Sequence, residues 1–258
     1  MFKILNLLIS KFTQISNFSR YLYIFFSRIL PVPTKKVRGV PIKIVIPLNH
    51  LGVYDSIKKW EAREPETLDW IDEFEQNSIF FDIGSNFGNE TLYAALKRNS
   101  PKKIVSFDID LNASFMLAYN ILLNKIKNVE QYFVGISGKK EFIHYAQHTN
   151  FACVKDRPKY DKITLKTFSI SIDEFISETG IVPNYIKIDV DGIENRIVGG
   201  MELILDNPEL KSVLIEVDEN TKEEVIKFLN SKGWESVFET DMRGVNTYNI
   251  IFKRYRNL

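Results

Sequence analysis

From Ser78 to the C-terminus the sequence predicts an α/β domain: a mainly parallel, seven-stranded sheet with helices on both faces. Two patterns predict it. Short apolar runs alternate with stretches of helical periodicity, as expected of strands buried on both faces and linked by crossover helices. Several runs also end in small polar or acidic residues, at Gly84-Ser85-Asn86, Asp108, Asp189 and Glu216-Val217-Asp218, where an open α/β sheet gathers its ligand. Charge separates this domain from what precedes it. No acidic residue occurs before Asp55, so the first 54 residues carry +8 and the remaining 204 carry −7. The asymmetry divides the chain into a basic, amphipathic helical extension over 1–54 and a main domain over 55–258.

Each element has a local cause. Residues 1–30 read as a helix, because Ile4, Leu8, Phe12, Ile15, Leu22, Phe26 and Leu30 fall on one broad face, and Pro31 and Pro33 end the pattern. Lys3, Lys11, Arg20 and Arg28 leave it no uncharged stretch longer than the eight residues 12–19, short of the ~20 that span a bilayer. Residues 40–48 are apolar and β-branched but interrupted by Pro41 and Pro47, which predicts an edge strand or hairpin. Residues 60–76 read as one acidic helix. The spacing then predicts strands over 79–83, 103–107 and 129–134, with helices over 89–98 and 112–124 between them. Extra strands over 141–145 and 163–168 and a short helix over 171–178 come next. Residues 185–189 are the fourth strand, 194–205 its helix, and 212–217 the fifth strand. A helix over 221–231 leads to a closing hairpin, 235–239 and 247–252, turned at Arg243-Gly244, so at least one closing strand should be antiparallel.

Composition narrows the function. Of the 258 residues 45% are hydrophobic and 26% charged, the balance of a soluble globular chain rather than a disordered, collagenous or polytopic one. The single cysteine, Cys153, excludes a disulfide scaffold and a cysteine zinc cluster and reads as a small buried hydrophobe. A net charge of +1 gives no sign of a polyanion, and no nucleic-acid partner is expected.

Three pieces carry chemistry. After the first strand, Asp82-Ile83-Gly84-Ser85-Asn86-Phe87-Gly88-Asn89 is a small polar turn without the Gly-Lys-Ser/Thr of a phosphate loop or the Gly-x-Gly-x-x-Gly of a dinucleotide fold. It suits a nucleoside lacking phosphates. Asp108 ends the second strand, 24 residues after Gly84, where an acid can accept both ribose hydroxyls. The rival reading is a helix cap, for which Asp110 and Asn112 are also suited. Third, Lys187-Ile188-Asp189-Val190-Asp191-Gly192-Ile193-Glu194 places three carboxylates at the end of the fourth strand. Such a cluster serves a divalent cation, a general base or the sulfonium of S-adenosylmethionine.

Together these residues resemble the FkbM-type methyltransferases, a class I, Rossmann-like, S-adenosylmethionine-dependent family. Its Asp-x-Gly-Ala-Asn-x-Gly turn is similar to 82–88, with Ser85 for Ala. Its Phe-Glu-Pro is similar to Phe107-Asp108-Ile109, which keeps the acid. Its Leu-Asp-Asp/Glu-Phe is similar to Ile172-Asp173-Glu174-Phe175, and its Lys-x-Asp-x-Glu-Gly-x-Glu to 187–194, with Asp191 for Glu. The likeness covers about two-thirds of the chain and leaves out the basic extension. It implies S-adenosylmethionine as cofactor, held by Asp82, Gly84, Ser85, Asn86, Gly88, Asn89, Asp108, Ile109 and Ser137. It also implies methyl transfer to a hydroxyl of a small molecule, in particular a sugar of a glycan or glycolipid.

Asp189 is the leading catalytic candidate. Asp191 and Glu194 come after it, each also suited to capping the next helix. His148, in the insertion before the fourth strand, is a candidate base because histidine titrates near neutrality. The metal requirement stays open between the uses of the carboxylate cluster. A nicotinamide-dependent oxidoreductase and an inactive cofactor-binding module are the alternatives. The first is disfavoured, because a pyrophosphate needs closer backbone approach than Ser85 and Asn86 offer. The expected location is cytoplasmic, with residues 1–30 docked on the domain, on a partner copy or on the inner face of the membrane. On the lipid reading, each Lys or Arg near an anionic surface contributes about 1 kcal/mol. Full-length protein should then sediment with anionic vesicles and a form starting near Pro41 should not; equal behaviour of the two removes the lipid reading.

Overall fold

The computed structural model describes residues 32–45, 56–148, 152–153, 162–190, 192–241 and 246–254. The expected helix over 1–30, Asp191 and the hairpin turn at Arg243-Gly244 lie outside the described residues. The chain divides into two compact units, Met1–Thr34 and Lys35–Leu258, and nearly all the described residues belong to the second. Residues 35–45, grouped by charge with the extension, are packed within this second unit: Val37, Ile42 and Ile44 are buried in one core with Phe80, Leu92 and Leu117. Among the described residues no helix is long and apolar enough to cross a membrane.

The first described elements form a ribbon of β1 (Thr34–Val37) and β2 (Val40–Lys43). The single helix expected over 60–76 is two, α1 (Trp60–Arg63) and α2 (Pro65–Asp72), because the residue before a proline is driven out of the helical region; Glu64 sits at φ −139° and ψ 66°. Then come β3 (Ile79–Ile83), α3 (Asn89–Leu96), β4 (Lys103–Phe107), α4 (Leu111–Leu123) and β5 (Val129–Tyr132). Strands β6 (Gly135–Ile136), β7 (Glu141–His148), β8 (Ala152–Cys153) and β9 (Lys162–Ile170) form a separate four-stranded sheet in the order β6-β9-β7-β8. The chain finishes with α5 (Ile172–Thr179), β10 (Tyr185–Ile188), α6 (Glu194–Gly199), α7 (Glu202–Asp206), β11 (Ser212–Asp218), α8 (Lys222–Ser231), β12 (Trp234–Glu239) and β13 (Thr247–Arg254).

The main sheet has seven strands in the order β12-β13-β11-β10-β3-β4-β5. All neighbours from β11 to β5 are parallel, and β13 runs antiparallel between β11 and β12. Alternate residues feed two cores. Phe81, Ile83, Ile186, Ile188 and Ile215 face α5 to α8, while Phe80, Ile104, Tyr185 and Leu214 face the ribbon and α1 to α4. The five parallel strands therefore all end at one edge of the sheet, which is where the polar and acidic strand ends meet.

Residues 194–205, expected as one helix, are split at Gly200. A Cβ there would lie 2.8 Å from the Ser137 carbonyl oxygen, 2.8 Å from Ser171 Cβ and 2.9 Å from the Gly138 carbonyl oxygen. Backbone crowds the position, and overpacking of this kind costs about 1–3 kcal/mol. Gly200→Ala should lower the urea midpoint accordingly without altering secondary-structure content; an unchanged midpoint contradicts the packing.

Candidate active site

The turn after β3 is wound by three residues in the left-handed region, Gly84 (φ 78°), Asn86 (φ 47°) and Gly88 (φ 85°). Gly84 is required by space as well as conformation, since a Cβ would stand 1.8 Å from the Asp189 carbonyl oxygen. The turn is thus pressed on the end of β10. Its N–H groups are used internally: Gly84 and Ser85 donate to the Phe107 carbonyl (2.9 and 3.0 Å), Gly88 to that of Ser85 (2.8 Å), and Asn86 to Asp108 Oδ2 (2.6 Å). No set of free donors remains there for a pyrophosphate.

Asp108 joins the second strand end to this turn. One carboxylate oxygen accepts from Asn86 N–H and the other from Asp110 N–H at 2.7 Å, and each oxygen keeps a further lone pair. The cap of α4 is Asp110, which accepts from Asn112 and Ala113, so Asp108 is not that cap. Burial pushes the Asp108 carboxyl up to about 7. Ile109 comes next, half-buried, against Gly135.

The third strand end holds a buried lysine. Lys187 lies beside Asp82 on β3 and Leu214 on β11, its side chain is 1% exposed, and its Nζ is 2.5 Å from Asp189 Oδ2. Burial works against the ammonium, but the charges of Asp189, Glu90, Glu64 and Asp82 hold its pKa well above the ordinary lysine value. Burial likewise opposes the Asp189 charge, yet Lys187 and a hydrogen bond from Glu216 keep Asp189 below the usual carboxylate range. Glu216 is the proton-bearing partner: the Asp189 charge and burial raise it to about 9, and Thr247 Oγ1 donates to it at 3.0 Å. Glu90, in the first turn of α3, is raised to about 8 by burial.

The sequence candidates are therefore brought together unequally. Gly84, Asn86, Asp108, Ile109 and Asp189 line one edge, with Gly88 capping α3 and Asn89 Oδ1 buried there without a partner. Asp82 is fully buried, accepting from Thr91 Oγ1 at 2.5 Å and leaving Oδ1 unpaired. Ser85 is buried under the turn, and Ser137 is buried with its hydroxyl unpartnered, so the side chains of Asp82, Ser85 and Ser137 face the interior rather than an open crevice. Glu194 turns to the Gly192 N–H (2.7 Å) and Thr221 (3.4 Å); burial raises it to about 7. His148 ends β7, whose Gln147 reaches Asp110 Oδ2 at 2.9 Å; the His148 side chain lies outside the described residues. Sequence reasoning gives no site role to three groups that the fold brings to this edge: Lys187, quoted only as the first residue of the 187–194 motif; Glu90, just past the turn; and Glu64, whose position at the site no local pattern signals. Among the described residues no three His, Cys, Asp or Glu side chains are placed to hold a metal ion.

No protein-family model matches the chain, and no curated protein does. Solved structures do. The methyltransferase FkbM from Methylobacillus flagellatus KT superposes with a TM-score of 0.53 at 12% identity, over 70% of this chain and 44% of its own. The fold is a methyltransferase fold. This chain spans less than half the length of that structure. Precorrin-6y C5,15-methyltransferase from Geobacter metallireducens GS-15 gives 0.49 at 13% identity, over 76% of this chain and 88% of its own. TrmK from M. capricolum, in complex with S-adenosyl-homocysteine, gives 0.48 at 12% identity, over 75% and 70%.

Because the folded state binds the Glu216 proton more tightly than the unfolded chain, this group's contribution to stability is full below the ordinary carboxylate pKa of 4.5 and is lost as pH rises towards about 9. Glu216→Gln keeps a donor to Asp189 but removes that titration. Its melting temperature should fall less than that of the natural protein over this range; parallel curves refute the shared proton.

Proposed function

We propose that this domain is an S-adenosylmethionine-dependent methyltransferase acting on a hydroxyl of a small molecule, in particular a sugar of a glycan or glycolipid. The observation that carries it is the joining of three strand ends into one piece: the phosphate-free turn at Gly84, the acid Asp108, and the Lys187–Asp189–Glu216 chain against that turn. The residues fit the cofactor. Asp108 has spare lone pairs for two ribose hydroxyls, the turn has no pyrophosphate cradle, and Asn89 Oδ1 is an unpaired acceptor at its rim. Bound there, S-adenosylmethionine would supply an electrophilic methyl group on a sulfonium.

The chain's own groups do the rest. Lys187 keeps Asp189 ionised, so Asp189 Oδ atoms can accept the proton of an acceptor hydroxyl. Glu216, protonated at neutral pH, gives its single O–H to Asp189 and so confines the negative charge there. The sugar class is supported by the resemblance of 82–88, 107–109, 172–175 and 187–194 to the FkbM-type methyltransferases.

S-adenosylhomocysteine measured by titration calorimetry tests the reading. The folded protein should bind it, more tightly as pH rises through about 7 because the ionised Asp108 is the better acceptor. Asp108→Asn should weaken binding by about 10-fold or more and flatten that dependence. Asp189→Asn should leave binding in place and lower methyl transfer from labelled cofactor to a glycan extract by about 10²–10⁴-fold. Absence of binding to well-folded protein overturns the proposal.

A further inference from the structure

The outward face of α4 is apolar and open. The helix has no charged residue from Leu111 to Leu123. Leu111, Phe115, Tyr119 and Leu122 recur at helical spacing, which places them within about 80° of arc. All are exposed, Phe115 at 68% and Leu122 at 76%. The inner side of the helix is already used: Leu117 is in the core, and Asn120 and Asn124 hold the backbone of Val45 and Lys43. The stripe therefore does not serve the packing of its own domain.

Beside it lies β5, the last strand of the seven-stranded sheet. No described strand pairs with its outer edge. Gln131 of β5 donates to the Ser114 carbonyl at 2.8 Å, fixing the strand against the helix. Phe133, the residue that follows β5, is 47% exposed and adds apolar surface next to it. At ~150–250 Å² for a large side chain, these five residues present roughly 600 Å² of apolar surface, the upper limit for an ordinary monomer and most of the ~800 Å² per partner of a standard interface.

We propose that this edge joins a second copy of the chain in an isologous dimer, α4 against α4 and β5 against β5 about one two-fold axis. An uncharged stripe is complementary to itself and needs no opposite charge. The open strand edge offers N–H and C=O groups that an antiparallel copy satisfies. Glu130, the acid on that strand, is neutralised by Lys103 at 2.5 Å, so it adds no unpaired negative charge to the seam. A lipid surface is the poorer occupant, because unpaired strand groups would enter hydrocarbon beside the stripe.

Light scattering after size exclusion, over a dilution series of the full chain, tests the proposal. The natural protein should be a dimer at high concentration. Phe115→Glu with Leu122→Glu, both at exposed positions outside the candidate site, should raise the dimer Kd by at least ~10-fold, with circular dichroism and melting temperature unchanged. A protein monomeric at every concentration overturns the proposal, as does a dimer whose Kd the double substitution leaves alone. Vesicle binding by a monomer, lost in the variant, assigns the stripe to lipid and also overturns it.

Discussion

An ammonium group buried at the end of the sheet's middle strand must be matched by negative charge, and the carboxyl edge of this domain is arranged around that need. Leaving such a charge buried and unpaired costs several kcal/mol. Lys187 is compensated from several directions: Asp189 two residues on, Asp82 on the neighbouring strand and Glu64 at the corner between α1 and α2. The carboxylates outnumber the ammonium. Those not neutralised by it keep protons instead, Glu216 to about 9 and Glu90 to about 8. The result is an ionised carboxylate and a protonated one side by side, at the place where the strands end.

The same edge is made rigid by backbone contact. Gly84 lies against the Asp189 carbonyl with no room for a methyl group, and Asp189 N–H donates to the Ile83 carbonyl at 3.0 Å. The turn that would hold a nucleoside and the carboxylate that would meet an acceptor are therefore parts of one unit. Asp108 extends it to β4 through Asn86. Such coupling fixes distances within a site better than side chains on separate loops do, because each turn residue is held by a strand.

The two cores divide the work. The layer of α5 to α8 is apolar except for the buried Glu194 at the start of α6. The opposite layer contains the buried charges, and it is built partly from segments that precede the alternating strands and helices. Glu64 reaches the cluster from α1 and α2, and the β1–β2 ribbon is held by amides of α4. A segment that looks like an approach to the domain thus completes its polar edge.

What the sequence determines by itself is what depends on near neighbours. β3 and β4 run over the residues expected of them, because a short apolar run between polar ends has one way to sit in a buried sheet. Gly84, Asp108 and Asp189 stand out for the same reason, as unusual residues at strand ends. Glu64-Pro65 and Gly200 break helices that the apolar spacing alone would continue, the first through local sterics and the second through a neighbouring backbone only folding brings near. The tertiary structure alone decided that Lys187 is buried, that Glu64 and Glu90 converge on it, and that Glu216 rather than Asp189 carries the proton. It also turned Ser85 and Ser137 inward, though both lie at positions a ligand would be expected to touch. Charge pairing and desolvation depend on which strand ends are adjacent and how much water remains between them, and neither quantity has a period along the chain.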